Sequence, residues 1–414
     1  MASASPKMSP ELTPVRSNGF SGDLLFALAL YWLSTSVVTG GVLLGWCYIP
    51  FCEAHPSARQ SPDFLAWDGV WYTRIANQGY SYNPQRNSSV AFFPAYPVLS
   101  SLVSGVTRLP VEISLLLVSN GSLILALFVL LRYLRLRFPE GPRRAWHYSL
   151  ASAAFFPTTF YWRMAYTESL FLLLALVVFY GVERGWRPLY VALWIGLASA
   201  TRLTGVALFV PLVYEVWRKN GLRPALKKLA VLAPVSIWGL ALYIAYQAWE
   251  FGEPMAFRQT QVHWQERDMP DNFSAIFADF LTFEPIRGVY DSECECYWAN
   301  DPPRDSAALS MQFMNPIYML IAAGLLAMGW RSGWLNHKEV LTGLLLLLIA
   351  YVLQGYRTCM VSQARYASVV FPQFIVFGHL LGRLPTWLSV ALLGASGGLL
   401  ATYAAMFTSW YWYY

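Results

Sequence analysis

One aspartate set among aromatic residues, together with an acid and several arginines at the edges of hydrophobic blocks, are the groups in this sequence able to do chemistry. The aspartate, Asp68, lies in PDFLAWDGVWYTRIANQGYSYNP, Pro62 to Pro84. On a helix Phe64, Trp67, Trp71 and Ile75 form one apolar stripe, with Tyr72 one turn beyond Asp68 and Arg74 on a different face. Such a helix lies along a membrane surface. Asp68 is then held near the headgroups, flanked by Trp67, where a carboxylate stays ionised and can accept a proton from an incoming hydroxyl. Capping the helix or facing water is the ordinary role of such an acid.

Glu168, in RMAYTES, opens a short apolar segment, and Arg163 stands about one turn before it, close enough in sequence to be its partner. Arg202, in SATRLTG, and the Arg365-Tyr366 pair, in SQARYASVVFP, fall at the ends of other apolar segments. A structural ion pair and snorkelling side chains are the plain accounts of these charges. A guanidinium also matches a phosphate through paired hydrogen bonds. Arginines on an outer membrane face run against the usual charge bias, so two of them imply an anionic partner there, a lipid phosphate. His263, beside Trp264, either lines a substrate cleft or is an ordinary surface histidine. Sequons at Asn87, Asn120 and Asn272 are weak signals, and Asn120 falls inside an expected span.

The elements that must position these groups follow from composition. Of 414 residues 56% are hydrophobic and 13% charged, against roughly 25% charged in an average soluble domain. The apolar blocks approach the length needed to cross about 30 Å of hydrocarbon. Backbone groups in lipid must bond internally, and the blocks lack the alternation of barrel strands, so the spans are helices. The net charge of +6 comes from short basic clusters between blocks rather than a nucleic-acid surface. With those clusters inside, about eleven spans result. They run near Asp23–Trp46, Val111–Tyr133, Tyr148–Trp162, Tyr166–Val182, Leu189–Arg202, Leu203–Trp217, Leu229–Trp249, Ser310–Trp330, Glu339–Tyr356, Ala367–Leu381 and Leu384–Phe407. A cytoplasmic tail (1–22) precedes them, and residues 48–110 and 250–306 form two outer loops of a single domain. Phe92 to Leu109, interrupted by Pro94 and Pro97, reads as interfacial or re-entrant. Cys52 with Cys294 or Cys296 permits a disulfide, and free thiols are an equal reading; no zinc motif is complete.

WDGVWYTRIANQGY (Trp67 to Tyr80), FFPAYPV (Phe92 to Val98), FFPTTFYWRMAYTESLF (Phe155 to Phe171) and SATRLTGV (Ser199 to Val206) occur in order and resemble the PIG-V family, with the Arg365-Tyr366 pair a later echo. Members add the second mannose in GPI-anchor assembly, and bacterial homologues are presumed mannosyltransferases. The resemblance implies an all-α GT-C-like bundle whose first outer loop carries interfacial helices. It implies polyprenyl-phosphate-mannose as donor, a glycolipid or glycan acceptor, membrane lipids as surroundings, and inverting transfer with neither metal nor cofactor. Asp68 becomes the catalytic base; Trp67, Arg74, Arg163, Glu168, Arg202, His263, Arg365 and Tyr366 become substrate-binding candidates. Three departures stand out: Ala66 where the family tends to have histidine, Thr167 where it has serine, and Leu203-Thr204 where serine-asparagine often follows the arginine. The site is expected on the extracytoplasmic or lumenal face of a bacterial plasma membrane or the endoplasmic reticulum. A transporter or flippase of lipid-linked sugars is the rival class. It predicts ionisable residues at the bilayer midplane and related halves.

Overall fold

The computed structural model describes residues 19–49, 63–264, 311–354 and 362–410, with 272, 274, 275 and 292 as isolated positions. Among them all regular structure is helical. Three of the described helices are long and apolar enough to cross a membrane alone: α1 (Phe20–Tyr48), α4 (Val111–Arg137) and α15 (Thr386–Thr408). Leu25, Trp32, Leu33 and Leu44 of α1 and Trp387 and Val390 of α15 are exposed. Water would not tolerate so much large apolar surface, and lipid does. The protein is an integral membrane protein.

Between these helices lie α2 (Asp68–Gln78), α3 (Ala95–Thr107), α5 (Arg143–Phe155), α6 (Glu168–Glu183) and α7 (Pro188–Ser199). They are followed by α8 (Phe209–Asn220), α9 (Leu222–Ser236), α10 (Trp238–Phe251), α11 (Met311–Arg331), α12 (His337–Gln354), α13 (Gln363–Ser368) and α14 (Pro372–Arg383). Several expected single spans are broken. The Tyr148–Trp162 block ends as helix at Phe155 and continues as a tight 3-10 stretch, Pro157–Arg163, before bending 98° into α6. Leu229–Trp249 divides into α9 and α10, bent by 48° just beyond Pro234, whose ring displaces the carbonyl one turn earlier. Leu203–Trp217 begins with a second 3-10 stretch, Leu203–Leu208. Hydropathy registers apolar length and is blind to these breaks. At 12 residues α7 rises only about 18 Å, short of the hydrocarbon thickness. Its far end therefore stops inside the bundle, and the break there sets up the site. The Phe92–Leu109 segment, expected to be interfacial or re-entrant, contains α3, whose 13 residues are likewise too few to cross alone.

Helix α6 is apolar on nearly every side, from Leu170 and Phe171 through Leu176 to Phe179 and Val182, and all of these are buried. A helix apolar all round is a core helix. Around it α4 and α7 supply Leu123, Leu127 and Ile195, and Phe371, just before α14, packs 4.9 Å from Phe179. One end of α6 carries Glu168 and the other Glu183, which Lys338 meets at 2.7 Å. Sixteen residues separate these ends by about 24 Å. At the Glu183 end Arg132 and Arg135 of α4 grip the buried Asp23 of α1, while Arg137 lies 3.5 Å from the buried Glu339. The arginine cluster of α4 thus sits at the end of the bundle opposite Glu168.

Close backbone approach joins the first and last helices. A Cβ added at Gly41 would lie 2.2 Å from the Ala401 carbonyl oxygen, and one at Gly45 2.5 Å from that of Ala405. Small residues let helices in lipid approach to gain van der Waals contact. Replacing Gly41 by valine is expected to destabilise the fold by about 2 kcal/mol through overpacking. A lower thermal midpoint in detergent checks this, with Gly40→Val, at a position open to space on the same helix, as the control.

Candidate active site

Four charged side chains from four separate elements meet in one place. The guanidinium of Arg365 donates hydrogen bonds to both Asp68 and Glu168, and Arg202 donates to Glu168 at 2.9 Å. The two acids and two bases cancel in formal charge. Glu168 is fully buried, the side chains of Arg202 and Arg365 are 9% exposed, and that of Asp68 is 27% exposed. Asp68 is therefore the cluster's opening to solvent. Aromatic faces enclose the guanidiniums: Arg365 lies 4.4 Å over Tyr166, and Arg202 lies 4.6 Å over Tyr366. Cation–π contact of this kind supports a cation that has lost much of its water.

Each charge stands where a helix begins or breaks. Glu168 is the first residue of α6, where free backbone N–H groups favour an anion. Arg202 is extended between α7 and the following 3-10 stretch, in a turn closed by a Gly205 N–H to Arg202 carbonyl bond of 2.9 Å. A side chain at Gly205 would strike the backbone of Ala198, which explains the glycine of SATRLTG. Arg365 rides on the short α13, tied down by Asn315 Oδ1 to the Ala364 N–H (3.0 Å) and by Gln363 to the Ala350 carbonyl (3.1 Å). Asp68 opens α2 directly after Trp67, whose φ of 62° and ψ of −116° are rare for a side-chain-bearing residue. Such strain costs on the order of 1–3 kcal/mol and persists only when neighbours enforce it. Here Tyr166 enforces it: its hydroxyl accepts the Asp68 N–H at 3.2 Å and donates to the Ala66 carbonyl at 3.4 Å. Packing of the Trp67 ring on Trp410, 4.8 Å between centroids, holds the other side.

Of the residues singled out in the sequence, Asp68, Glu168, Arg202, Arg365 and Tyr366 converge, with Trp67 setting the direction of Asp68. Arg163 does not join them. Its guanidinium is buried against Ser34 and Thr35 of α1 and the carbonyls of Ala154 and Thr159, so the expected pairing with Glu168 is replaced by Arg202 and Arg365. The sharp turn between the 3-10 stretch and α6 aims the neighbouring side chains apart, which sequence spacing on a continuous helix would not suggest. Arg74 is exposed, its guanidinium 5.0 Å over Trp71. His263 Nε2 meets the Pro84 carbonyl at 2.8 Å and takes no part in the ion pairs of the cluster among the described residues. Asn120, read as lying in a span, bonds Tyr31 and the Leu116 and Arg163 carbonyls inside the bundle. Cys52, Cys294, Cys296 and Cys359 lie outside the described residues. Tyr166 was missed by the sequence reading, although its place two residues before Glu168 in RMAYTES was a usable signal.

Chemically, the arrangement offers an accessible carboxylate held beside two buried guanidiniums, with an aromatic surface of Trp71, Phe92 and Trp264 a turn away. The cations are suited to an anionic group and the carboxylate to a hydroxyl proton.

Residues 25–270 match the family Mannosyltransferase (PIG-V). No curated relative matches the sequence. Two solved structures of the Archaeoglobus fulgidus oligosaccharyltransferase, one apo and one tethered by a disulfide to an acceptor peptide containing the NVT sequon, are similar to this chain. Both show 13% identity over 92% of this chain, with TM-scores of 0.44 and 0.42. The matches cover 56% and 55% of the oligosaccharyltransferase, so this chain spans little more than half of that protein's length.

Because the bonds of Arg163 run to α1 and to backbone carbonyls, Arg163→Lys should act on stability. Losing the forked geometry is expected to cost about 3 kcal/mol. A lower thermal midpoint in detergent checks it; an unchanged midpoint would show that the guanidinium is not holding the broken helix to α1.

Proposed function

From the premise that this chain belongs to the mannosyltransferase (PIG-V) family, and so is a glycosyltransferase, we propose that it transfers mannose from a polyprenyl-phosphate donor to an acceptor hydroxyl with inversion. The observation that carries this reading is the Asp68–Arg365–Glu168–Arg202 cluster with Asp68 at its open edge. The acceptor oxygen attacks the anomeric carbon as Asp68 takes its proton. The bond from that carbon to the phosphate oxygen breaks, and its electron pair leaves with the lipid phosphate. Arg202 and Arg365 face the charge that develops there, where fixed positive groups in a water-poor site are most effective. Glu168 keeps both guanidiniums in place and takes no proton.

Several features favour this assignment over a retaining route or a nucleotide-sugar route. A single accessible carboxylate suits one-step inversion, since retention ordinarily needs a second, nucleophilic carboxylate. Lipid phosphate is a good leaving group without a protonating acid, so no metal or cofactor is required by the step. The cluster lies at the end of α6 opposite the arginines of α4. With those arginines cytoplasmic, the site opens to the extracytoplasmic or lumenal side, where a lipid-linked donor rather than a nucleotide sugar would be met. The whole bundle is then GT-C-like, with α2 and α3 as the interfacial helices of its first outer loop.

Replacing Asp68 by asparagine is expected to lower transfer by about 10²- to 10⁴-fold, with protein yield and donor binding retained. The check is reconstituted protein with labelled polyprenyl-phosphate-mannose and product identification. Full activity in Asp68→Asn would remove the base, and transfer from a nucleotide sugar would overturn the donor.

A further inference from the structure

Tyr72 stands one turn after Asp68 on α2, so the two side chains share a face. Its ring is 4% exposed and is clamped edge-on by Phe92 at 5.2 Å and Tyr96 at 5.0 Å. Comparably buried tyrosines place their hydroxyls: Tyr96 bonds Ser119 and the Leu115 carbonyl, Tyr133 bonds Glu339, Tyr243 bonds the Val90 and Phe92 carbonyls. The Tyr72 hydroxyl has no hydrogen bond among the described residues, although it interacts electrostatically with Arg365, Asp68, Glu168 and Arg202 together. Burial pushes its pKa up, so it is a neutral donor throughout the physiological range. A second group on the same cluster is also unmet: Glu168 Oε2 is buried without a hydrogen-bond partner among the described residues. Leaving a buried polar atom such as Glu168 Oε2 unpaired is costly enough that it usually awaits a partner.

Building on the proposed transfer, we infer that the Tyr72 hydroxyl donates a hydrogen bond to a phosphoryl oxygen of the lipid-phosphate leaving group, making it a catalytic residue beside the two arginines. The timing follows from charge. The donor phosphate is a monoanionic diester; when the bond to the anomeric carbon breaks, the electron pair stays on the phosphate oxygen and the lipid phosphate gains one negative charge. A fixed donor facing that oxygen is worth more in the transition state than in the bound donor, so it acts on kcat. A neutral hydroxyl adds this stabilisation without disturbing the cancellation of charge among Asp68, Glu168, Arg202 and Arg365.

Tyr72→Phe removes one oxygen and keeps the ring and its packing. In the reconstituted assay its kcat is expected to fall about 10- to 100-fold while the donor KM stays within about threefold. The thermal midpoint in detergent should stay unchanged, because no bond within the protein is lost. An unchanged kcat, a rise in donor KM alone, or a clearly lowered midpoint each overturns the inference, the last by revealing a structural bond. Wild-type transfer from the lipid-phosphate donor separates the two readings. With it present and Tyr72→Phe unimpaired, only the role of Tyr72 fails; without it, the donor assignment fails and the inference falls with it.

Discussion

A carboxylate buried at the start of the central helix must be neutralised, and much of the architecture around the site answers to that requirement. Glu168 has no exposure, and an unpaired charge in such a place would cost several kcal/mol. Two guanidiniums therefore have to reach it from sequence positions 34 and 197 residues away. Neither sits on a continuous transmembrane helix. Arg202 reaches Glu168 because α7 stops short and the chain turns over Gly205; Arg365 reaches it because α13 is a brief helix pinned by Asn315 and Gln363. The breaks that hydropathy overlooks are thus the devices that bring charge into the bundle.

Asp68 is attached to this arrangement through Arg365 and through its backbone. Tyr166 binds the main chain on both sides of Trp67 and lies under the Arg365 guanidinium, so one side chain sustains the strained entry to α2 and one wall of the arginine site. A shift in α13 would disturb both. Under the proposed transfer, the partly exposed Asp68 loses its Arg365 contact to an arriving phosphate without leaving a buried ion behind, whereas Glu168 could not. That difference in burial is what assigns proton transfer to one acid and an organising role to the other in the proposed reaction.

The opposite end of α6 shows the same physics. Asp23 and Glu339 are buried and held by Arg132, Arg135, Arg137 and the Tyr133 hydroxyl, and their partners fasten α1 and α12 to α4. Ion pairs therefore close both ends of the bundle. The pairs at the Glu168 end differ in opening to solvent through a carboxylate, with a tyrosine hydroxyl and a carboxylate oxygen left without a hydrogen bond among the described residues.

The helical class, the membrane setting, the amphipathic character of α2 and the family were legible in the sequence, because apolar block length, stripe spacing and short motifs are local properties. Asp68, Glu168, Arg202 and Arg365 could be picked out for a related reason: ionisable residues at the ends of apolar segments are conspicuous wherever they occur. Their partners were not legible. Arg163 looked like the mate of Glu168 from five positions away, yet the 98° bend after the 3-10 stretch turns it towards α1. The contact between Asp68 and Arg365 spans 297 residues and depends on how short helices stop and pack. Local spacing sets which face a side chain occupies; only tertiary packing, through the breaks at Phe156, Arg202 and Ser362, decides which charges share a low-dielectric space and which one remains open to solvent.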